Sequence, residues 1–552
     1  MFIRTIKNSS GQRYHQVVES YRNEEGQVRQ RILLSLGRVE DGKGEQLLQA
    51  LTKNKKNFEA LDLAKDVSVE KTYIFGPLLL VSTIFEKLKF KDLLGKIQSA
   101  HPKLEIDLIK VVFTLISSRF VEPCSKLKTF EHWQQQFFSR MLMDEINLHH
   151  FYRTIDLLSD YKDEIEQSLY WRDRNLFNQT SDIVLYDLTT LRFESTDDES
   201  GELRKFGFSK EKRSDCTQVV FGLLLGTDGI PIGFEVYPGN TFEGSTIEGI
   251  VTKIKNKFNI RRLIFVADRG LFSSKNLALL RKDGGEFIVG HKLGSLNKDR
   301  KEEIYDINKF TWIIKNELAI YELKTPDGDR LLVSWSLSRA ERDKKTRDDI
   351  LTKIKKKLAS NKTTTKKFIS NSNYQKFVKG FDQGTPTLNE AAIFEAEKKD
   401  GFFGIVTNVT NLTTSEIVLN YKELWKIEDS FGEIKGTMQA RPMFHWTDKR
   451  ILGHLTLCFM AYYCEAIITK ALREKNINLK TSATKKKMIA TRPLTVVEAL
   501  IELREVRVIP VQVRDQTVWV RTDITGNALA ILKAIGSRIP PKVLEITNSI
   551  KL

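Results

Sequence analysis

The sequence predicts an α/β fold, and three of its features support that prediction. Apolar runs of strand length recur in the middle of the chain, as in IVLYDLTT, TQVVFGLLLG and RLIFVADRG. Segments with apolar residues at three- and four-residue spacing, the period of helices, flank and separate these runs. The chain has 552 residues, of which 41% are hydrophobic, and this is enough material for more than one core. We therefore expect a multidomain α/β protein.

The charge and the cysteine content restrict the class of function. The formal net charge is +17, from 88 basic and 71 acidic residues. This charge favours nucleic acid as a partner, although a basic protein can also stay soluble and bind nothing. The four cysteines form no CxxC pair and no zinc-like group, so we expect no disulfide framework and a reducing cytoplasm. The most apolar run, Phe75–Phe85, is too short to cross a bilayer, so no membrane role is expected.

The first third of the chain divides into two predicted segments. Residues 1–70 form a small β-rich module with a linker, because IRTIK, YHQVVESY and QRILLSLG alternate with the turn-prone NSSGQ and NEEGQ. Residues 74–178 show helical spacing throughout. This helical domain either binds a DNA end or serves as a cap without DNA contact, because no recognition helix is identifiable from the pattern.

The rest of the chain contains the predicted core. Three hairpin-connected strands, a helix near Thr246–Lys257 and a buried strand follow one another, which is the order of an RNase H-like core. A strand-rich insertion with a basic helix, Ala340–Ala359, interrupts this core before the strand GFFGIVTN and the helix from about Ser415 to Gly436 complete it. The predicted boundaries are 181–300 for the first part of the core, 301–400 for the insertion, 401–475 for core completion, and 476–552 for a basic linker with a C-terminal hairpin and helix.

Two aspartates end apolar strands of the predicted core. Asp187 follows Ile183 to Tyr186, and Asp268 follows Leu263 to Ala267. A carboxylate that finishes a buried strand is costly unless it is paired or holds a metal ion. For either aspartate alone, capping of the next turn remains the more common explanation.

A third carboxylate lies on the predicted helix YKELWKIEDSFGEIKG. Tyr421, Glu428 and Lys435 recur every seven residues, so they share one face of a continuous helix. Leu424, Trp425 and Phe431 flank the glutamate, which predicts that Glu428 lies in the buried stripe. An amphipathic helix with a polar rim explains this segment equally well when it is taken alone. Three oxygen donors without a soft Cys or His ligand suit Mg²⁺ or Mn²⁺, and two such ions are expected for phosphoryl transfer.

At these residues the chain resembles the DDE insertion-sequence transposases of bacteria, in the branch with a Tyr-x2-Arg-x3-Glu-x6-Lys signature. The resemblance spans roughly Ser181 to Leu472 and includes LYDLTT, IPIGFEVYPGNTFEGST, FVADRG, YKELWKIEDSFGEIKG and RPMFHW. It implies that Asp187, Asp268 and Glu428 are the metal-binding catalytic triad. It also implies that Tyr421 and Lys435 contact DNA near the scissile phosphate.

This sequence departs from the signature at one position. Leu424 stands where the family has Arg, so the expected phosphate contact has to come from elsewhere or be missing. The candidate substitutes are Lys422, Lys426 and Arg441. Arg269, which follows Asp268, is a further candidate for pairing with a phosphate or with a carboxylate of the triad.

Three other features have competing explanations. Trp312 and Trp335 stack on an unpaired base or pack in the core of the insertion. The PGN segment at 238–240 is a tight turn whose glycine allows positive φ, with direct DNA contact as the alternative. His454 makes a hydrogen bond in the core rather than binding metal.

The function implied by the resemblance is metal-dependent nicking of double-stranded DNA at terminal inverted repeats, followed by strand transfer into target DNA. We expect a homodimer on the DNA ends, no use of ATP, and a cytoplasmic protein that associates with the nucleoid when bound to DNA. Two alternatives remain open: a decayed or domesticated copy that binds DNA without cutting it, and a related RNase H-like nuclease that hydrolyses DNA without transferring strands.

Overall fold

The computed structural model describes residues 2–22, 27–39, 67–69, 71–133, 136–137, 146–172, 182–194, 199–208, 215–242, 246, 250–260, 262–268, 270, 274–282, 284–359, 372–380, 386–441, 443–482, 489–513 and 516–544. The chain forms two compact units. One comprises Met1–Tyr73, Arg507–Asp523 and Pro540–Leu552, and the other comprises Ile74–Val506 and Ile524–Ile539.

The strands of the described residues are numbered in chain order. They are β1 Phe2–Lys7, β2 Arg13–Arg22, β3 Val28–Arg38, β4 Val67–Ser68, β5 Tyr73–Ile74, β6 Asp182–Arg192, β7 Gln218–Gly226, β8 Pro231–Pro238, β9 Leu263–Ala267, β10 Glu286–His291, β11 Thr311–Ile314, β12 Leu318–Lys324, β13 Arg330–Ser336, β14 Val378–Lys379, β15 Thr387–Leu388, β16 Phe402–Thr407, β17 Asn478–Ser482, β18 Ile489–Pro493, β19 Arg507–Val513, β20 Gln516–Arg521 and β21 Val543–Leu544.

The α-helices of the described residues are numbered in the same way. They are α1 Gly76–Lys87, α2 Phe90–Ser99, α3 Leu108–Val121, α4 Lys126–Glu131, α5 Leu148–Asp160, α6 Lys162–Arg172, α7 Ile250–Phe258, α8 Ser274–Lys282, α9 Lys298–Ile304, α10 Leu337–Leu358, α11 Ser372–Gln375, α12 Glu390–Glu397, α13 Thr414–Lys422, α14 Trp425–Gly432, α15 Asp448–Glu474, α16 Val496–Leu503 and α17 Gly526–Ile535.

The smaller unit contains two antiparallel sheets. The N-terminal sheet has the order β1-β2-β3, which confirms the three strands predicted at the start of the chain. The second sheet includes the hairpin of β19 and β20, in which Val508 pairs with Arg521 and Val513 with Gln516. This hairpin was also expected, because RVIPVQV and QTVWVR alternate with the period of strands.

The larger unit is built on one nine-stranded sheet with the order β11-β12-β13-β16-β10-β9-β6-β7-β8. β6, β7 and β8 are antiparallel neighbours, while β9 is parallel to β6 and β10 is parallel to β9. Numbered from β6, the first five strands therefore lie in the order 3-2-1-4-5. The prediction of three hairpin-connected strands, a helix and a buried strand is confirmed, with α7 beginning at Ile250.

The predicted insertion is not a separate sheet. Its strands β11, β12 and β13 join the same sheet because β13 pairs with β16, and β16 pairs with β10 on its other side. The basic helix is α10, and its inner residue Ile354 is fully buried among Phe377, Val378 and Ile393, as its four-residue apolar spacing predicts. The chain therefore adds β11, β12 and β13 to the same sheet before β16 takes its place between β13 and β10.

The centre of the sheet is the core of the larger unit. All nine residues of β7 and all five of β9 are buried. Both faces of the sheet are covered, which explains why these strands are continuously apolar in the sequence instead of alternating. Helices α7 and α8 cover one face, where Ile254, Phe258 and Leu280 pack on Phe265 and Phe287.

Helix α15 packs against α3 and α5 on the helical side of this unit. It begins after the N-cap Thr447, whose side chain accepts a hydrogen bond from the Arg450 amide. By length and composition alone α15 is long and apolar enough to span a membrane, whereas the sequence prediction considered only the shorter run Phe75–Phe85. However, 89% of its most apolar 18-residue window is buried within the protein, as in a core helix.

Candidate active site

Strand register brings the two aspartates side by side. Leu185 of β6 pairs with Val266 of the parallel strand β9, and the aspartates are the second residues after this pair. Paired residues of parallel strands point to the same face, and the pattern repeats every two residues. Continuing the register therefore aligns Asp187 with Asp268 on one face of the sheet, at the carboxyl end of β9.

The strand containing Asp187 is longer than the sequence suggests. The apolar run ends at Asp187, but β6 continues to Arg192 because it still pairs with β7. The expectation that this aspartate ends its strand is therefore wrong, whereas Asp268 does follow the last residue of β9. The Asp187 carboxylate is half-buried and accepts a hydrogen bond of 2.8 Å from the Leu188 amide.

Tyr421 is the residue that connects the glutamate-bearing helical segment with an aspartate. Its hydroxyl donates to Oδ1 of Asp268 at 3.2 Å. The Tyr421 ring packs on Phe403 of β16, with 5.0 Å between the ring centroids. Tyr421 therefore holds an exposed carboxylate in place from a ring that is itself packed on the sheet.

The helical segment is not continuous, contrary to the prediction for about Ser415 to Gly436. It consists of α13, α14 and a π-helical turn, Glu433–Thr437. Between α13 and α14 the amides of Leu424 and Ile427 donate to Tyr421 and Leu424 carbonyls, so this turn has the tighter i to i+3 pattern. Leu424, which replaces the signature arginine, is the N-cap of α14.

These irregularities change which side chains are buried. The buried residues of α14 and the π turn are Ile427, Ser430, Phe431 and Ile434. Glu428 is exposed and Trp425 is 51% exposed, so the prediction that this glutamate lies in the buried stripe is wrong. Tight and π turns advance the chain by different angles from an α-turn, and a strict seven-residue spacing does not keep residues on one line.

Helix α14 nevertheless covers the face of the sheet that bears the aspartates. Phe431 contacts Phe221 of β7 with an edge-to-face geometry, at 6.5 Å between centroids. Phe221 pairs with Thr189, and Leu223 pairs with Asp187, so all four residues share one face. Glu428 lies about one turn before Phe431, on the side of the sheet that carries both aspartates.

The cationic candidates differ in their surroundings. Lys422 is exposed at the end of α13, and Lys435 lies half-buried in the π turn. Lys426 forms an ion pair with Glu423 and donates to the Thr227 carbonyl, so two of its donors are used within the protein. Arg441 is half-buried, and Arg269 lies outside the described residues.

One residue that supports this site, Arg119, was missed in the sequence. Arg119 of α3 is 6% exposed, and its guanidinium donates to the Met438 carbonyl at 3.4 Å and the Gln439 carbonyl at 3.2 Å, just after the π turn. The signal for it was a charged residue inside the apolar helix LIKVVFTLISSRFV. A buried arginine requires such partners, so it fixes the end of the helical segment that carries Glu428.

His454 belongs to a second buried polar group. Lys126 Nζ lies 3.1 Å from His454 Nδ1 and 3.2 Å from His445 Nε2. Burial and the neighbouring Lys126 lower the pKa of His445 to about 3, and they also lower the pKa of His454. Both imidazoles are therefore neutral at physiological pH. The expected core hydrogen bond of His454 is confirmed, with Lys126 as its partner.

The PGN turn has a different explanation from the predicted one. Gly239 does not have a positive φ. A Cβ atom at this position would lie 2.1 Å from the Gln218 carbonyl oxygen and 2.4 Å from that of Lys205. Glycine is therefore required by the close approach of three backbone segments and not by the turn conformation.

The two tryptophans of the insertion differ in their surroundings, and packing in the insertion core is confirmed for Trp335. Trp335 is partly buried beside the insertion core and donates from Nε1 to the Asp400 carbonyl at 3.2 Å. Trp312 is 40% exposed and meets Trp335 edge to face at 5.7 Å.

The side chains of the proposed triad supply only oxygen donors, which fits a hard divalent cation. Among the residues that the structure describes, no group of three His, Cys, Asp or Glu side chains is arranged to hold a metal ion. The backbone does align the two aspartates, and Glu428 reaches the same face from α14.

Comparison with known families identifies the chain. Residues 178–464 match the model of the transposase DDE domain, which spans both aspartates, the insertion and the helical segment with Glu428. The chain belongs to the DDE transposases. Residues 3–64 match the N-terminal domain of the IS1634 family transposases. This transposase is therefore an insertion-sequence enzyme that binds and cuts DNA during transposition, and DDE domains generally depend on divalent metal ions.

The chain is also similar, at low sequence identity, to a solved structure. The solved structure of a piggyBac transposase synaptic complex with hairpin DNA matches with 9% identity and a TM-score of 0.35. The match covers 78% of this chain and 79% of the other. No curated protein matches the sequence of this transposase.

Proposed function

We propose that Asp187, Asp268 and Glu428 form the catalytic centre with which this transposase nicks the ends of its element and joins them to target DNA. The observation that carries the proposal is the alignment of the two aspartates on adjacent parallel strands, on the face that α14 covers. The strand order 3-2-1-4-5, interrupted after β10, supports an RNase H-like core with an insertion that extends its sheet.

The triad fits Mg²⁺ or Mn²⁺, and we propose that two ions bind there. Bound at this position, they supply Lewis acidity that lowers the pKa of a nucleophile and stabilises a leaving oxygen. The protein residues orient the site: the Tyr421 hydroxyl fixes the Asp268 carboxylate, and the Leu188 amide fixes that of Asp187.

In the proposed reaction, water attacks the phosphorus at the element end, the P–O3′ bond breaks, and a 3′-hydroxyl is released. That hydroxyl then attacks a target phosphodiester and displaces another 3′-oxygen. One phosphodiester bond replaces another in the second step, so no ATP is required. The proposed substrates are duplex terminal inverted repeats and target DNA.

The remaining features of the function are also proposals. Two ends have to be joined, so a homodimer on DNA is the simplest arrangement. We place the enzyme in the bacterial cytoplasm, at the nucleoid when it is bound to DNA. Lys422, Lys435, Arg441 and Arg269 are proposed phosphate contacts, and Lys426 is a weaker candidate because of its internal partners. The segment boundaries predicted from the sequence serve as proposed domain boundaries.

The test is cleavage of a labelled duplex carrying the element's inverted repeat, with Mg²⁺ or Mn²⁺. Wild type should nick the repeat terminus, and Asp187→Asn and Asp268→Asn should each remove nicking while retaining DNA binding. Asp268→Cys should regain activity with Mn²⁺ but not with Mg²⁺, because a thiolate is a softer ligand than a carboxylate.

The alternatives give different results in the same assay. Binding without cutting by wild type under both metals identifies a decayed DNA-binding protein. Nicking without strand transfer, with a pre-cleaved end as donor, identifies a nuclease. Normal cutting by either asparagine variant shows that the corresponding residue is misassigned.

A further inference from the structure

Five large aromatic side chains are exposed near the end of β6, the start of β7 and the end of β8, which lie side by side in the sheet. Phe208 is 88% exposed, Phe242 77%, Phe444 67%, Trp446 51% and Phe206 39%. We call these five residues the aromatic rim. Exposed aromatic groups that are close in space mark a binding surface, because burying their surface elsewhere would be favourable.

Hydrogen bonds to backbone carbonyls hold the three segments of the aromatic rim together. The Gln218 side-chain amide donates to the carbonyls of Phe208, at 3.0 Å, and Gly239, at 2.9 Å. The Met443 amide donates to the Arg192 carbonyl at the end of β6, at 3.2 Å. The Ser200 hydroxyl donates to the Trp446 carbonyl at 2.7 Å. These hydrogen bonds position the backbone of the rim, and none of them involves an exposed aromatic ring.

A buried arginine supports the rim from below. Arg204 is 1% exposed, and Nε donates to the Thr217 hydroxyl at 2.8 Å. Its guanidinium carbon lies 4.8 Å from the centre of the Phe193 ring and 4.3 Å from that of Trp446. One face of the Trp446 indole thus rests on a cation, while half of this side chain is open to solvent.

The aromatic rim lies at the same edge of the sheet as the proposed catalytic carboxylates. Asp187 pairs with Leu223, and five residues later Arg192 pairs with Gln218, beside the rim. Five strand residues correspond to about 17 Å. This distance equals roughly five nucleotide steps of about 3.4 Å each. A strand that runs from the cut phosphate along β6 reaches the rim within a few nucleotides.

We propose that the aromatic rim binds the unpaired bases of a DNA strand that leaves the catalytic site, which rests on the proposed function of that site. Every nucleobase offers a flat face, so stacking on aromatic side chains holds single strands of any sequence. The net charge of +17 and the membership in a DNA-cutting family favour a DNA strand over a protein partner. The PGN turn and the RPMFHW motif acquire a role in this arrangement, because they position Phe242, Phe444 and Trp446.

The experiment measures the affinity of the full-length protein for a labelled 12-nucleotide single strand without metal, so that no cutting occurs. Phe208→Ala, Phe242→Ala and Trp446→Leu should each weaken binding by about 5- to 150-fold. The dependence on salt concentration should keep its slope, because no phosphate contact is removed. Phe394→Ala is the matched control: it removes a 59% exposed ring from α12, and its affinity should equal that of wild type.

An abasic strand of the same length separates stacking from phosphate binding. Wild type should bind it more weakly than the normal strand, and the rim variants should no longer differ from wild type. Equal affinities of all variants for the normal strand overturn the proposal. So does an equal loss for normal and abasic strands, or a change in oligomeric state without a change in strand affinity. This binding assay does not depend on catalysis. A failure of the triad proposal in the cleavage assay can therefore be distinguished from a failure of the rim proposal.

Discussion

Two groups of carboxylates lie on different sides of α14 and have different surroundings. The first group consists of Glu428, Asp187 and Asp268, which lie on one side of the sheet. Of these, Glu428 and Asp268 are exposed. Asp429 and Glu433 instead line a cavity of about 530 Å³ together with Glu465 of α15. Burial, with the nearby charges of Glu433 and Asp429, raises the pKa of Glu465 to about 7, although its hydrogen bond with Thr469 opposes this shift.

Adjacent acids of one helix therefore have different neighbours. Glu428 is exposed on the side of the sheet that carries both aspartates. The next residue, Asp429, is also exposed, but it lines the cavity that contains Glu465, whose pKa is raised. Residue type alone therefore does not identify the catalytic acid of this helix. We propose Glu428 on the basis of its position relative to the two aspartates.

The largest expected effect separates the neighbouring acids of α14. Glu428→Gln should reduce the rate of repeat cutting by about 100-fold or more, comparable with removal of a preorganised group that stabilises transition-state charge. Asp429→Asn is the matched control and should keep the rate within about twofold. Single-turnover cleavage with saturating protein measures both. A greater loss with Asp429→Asn than with Glu428→Gln would reverse the assignment of the two groups.

The second prediction concerns stability and pH. The folded-state pKa of Glu465 is raised, so its favourable contribution is complete below the ordinary carboxyl pKa and is lost as pH rises towards about 7. Glu465→Gln should therefore raise Tm at pH 8 by several degrees and change it little at pH 4.5. Thermal unfolding at the two pH values measures this difference. A Tm gain of equal size at both values would show that the side chain does not titrate in this range.

A smaller effect is expected from the hydrogen bond between Tyr421 and Asp268. Tyr421→Phe keeps the ring on Phe403 and removes only the donor. A net hydrogen bond of about 0.5–1.5 kcal/mol corresponds to a two- to thirteenfold slower cut. Tm should stay unchanged, since the phenylalanine ring can still pack. Tyr462→Phe, which removes a buried hydroxyl donor to Ser430, is the contrasting variant and should lower Tm instead.

The smallest effect distinguishes the lysines of the helical segment. Lys422→Ala should lower the slope of log affinity against log salt by about one, as for one lost phosphate contact. Lys426→Ala should leave the slope closer to that of wild type, because this lysine already binds Glu423 and the Thr227 carbonyl. Fluorescence anisotropy with a repeat duplex at several salt concentrations provides both slopes. Equal slopes for the two variants would show that Lys422 and Lys426 do not differ in their contact with phosphate.

The sequence predicts the fold well where hydrophobic period is strong. The strands β6 to β9 and the helix α15 follow from continuous apolar runs and helical spacing. The connection of the insertion to the main sheet was not predictable in this way. It depends on pairing of β16 with both β10 and β13, and a periodic pattern contains no information about which strand is its neighbour.

The candidate site was predictable in its residues and less so in its geometry. Asp187 and Asp268 were recognisable because each interrupts an apolar run, and register then aligned them. The exposure of Glu428 was missed because a seven-residue spacing implies a regular helix, whereas tight and π turns flank α14. The roles of Arg119 and Arg204 depend on contacts across more than ten residues of sequence, which no local pattern reveals.

The position of β16 between β10 and β13 also bears on when the site can assemble, because β16 is made after both of these strands. About 110 residues separate β10 from β16, so their pairing closes a long loop and carries a corresponding entropic cost. The segment with Glu428 follows β16 directly and packs on strands made much earlier. During synthesis, both aspartates are therefore made before the glutamate. A translation product that stops within the insertion carries two of the three proposed catalytic carboxylates, so we expect it not to cut DNA.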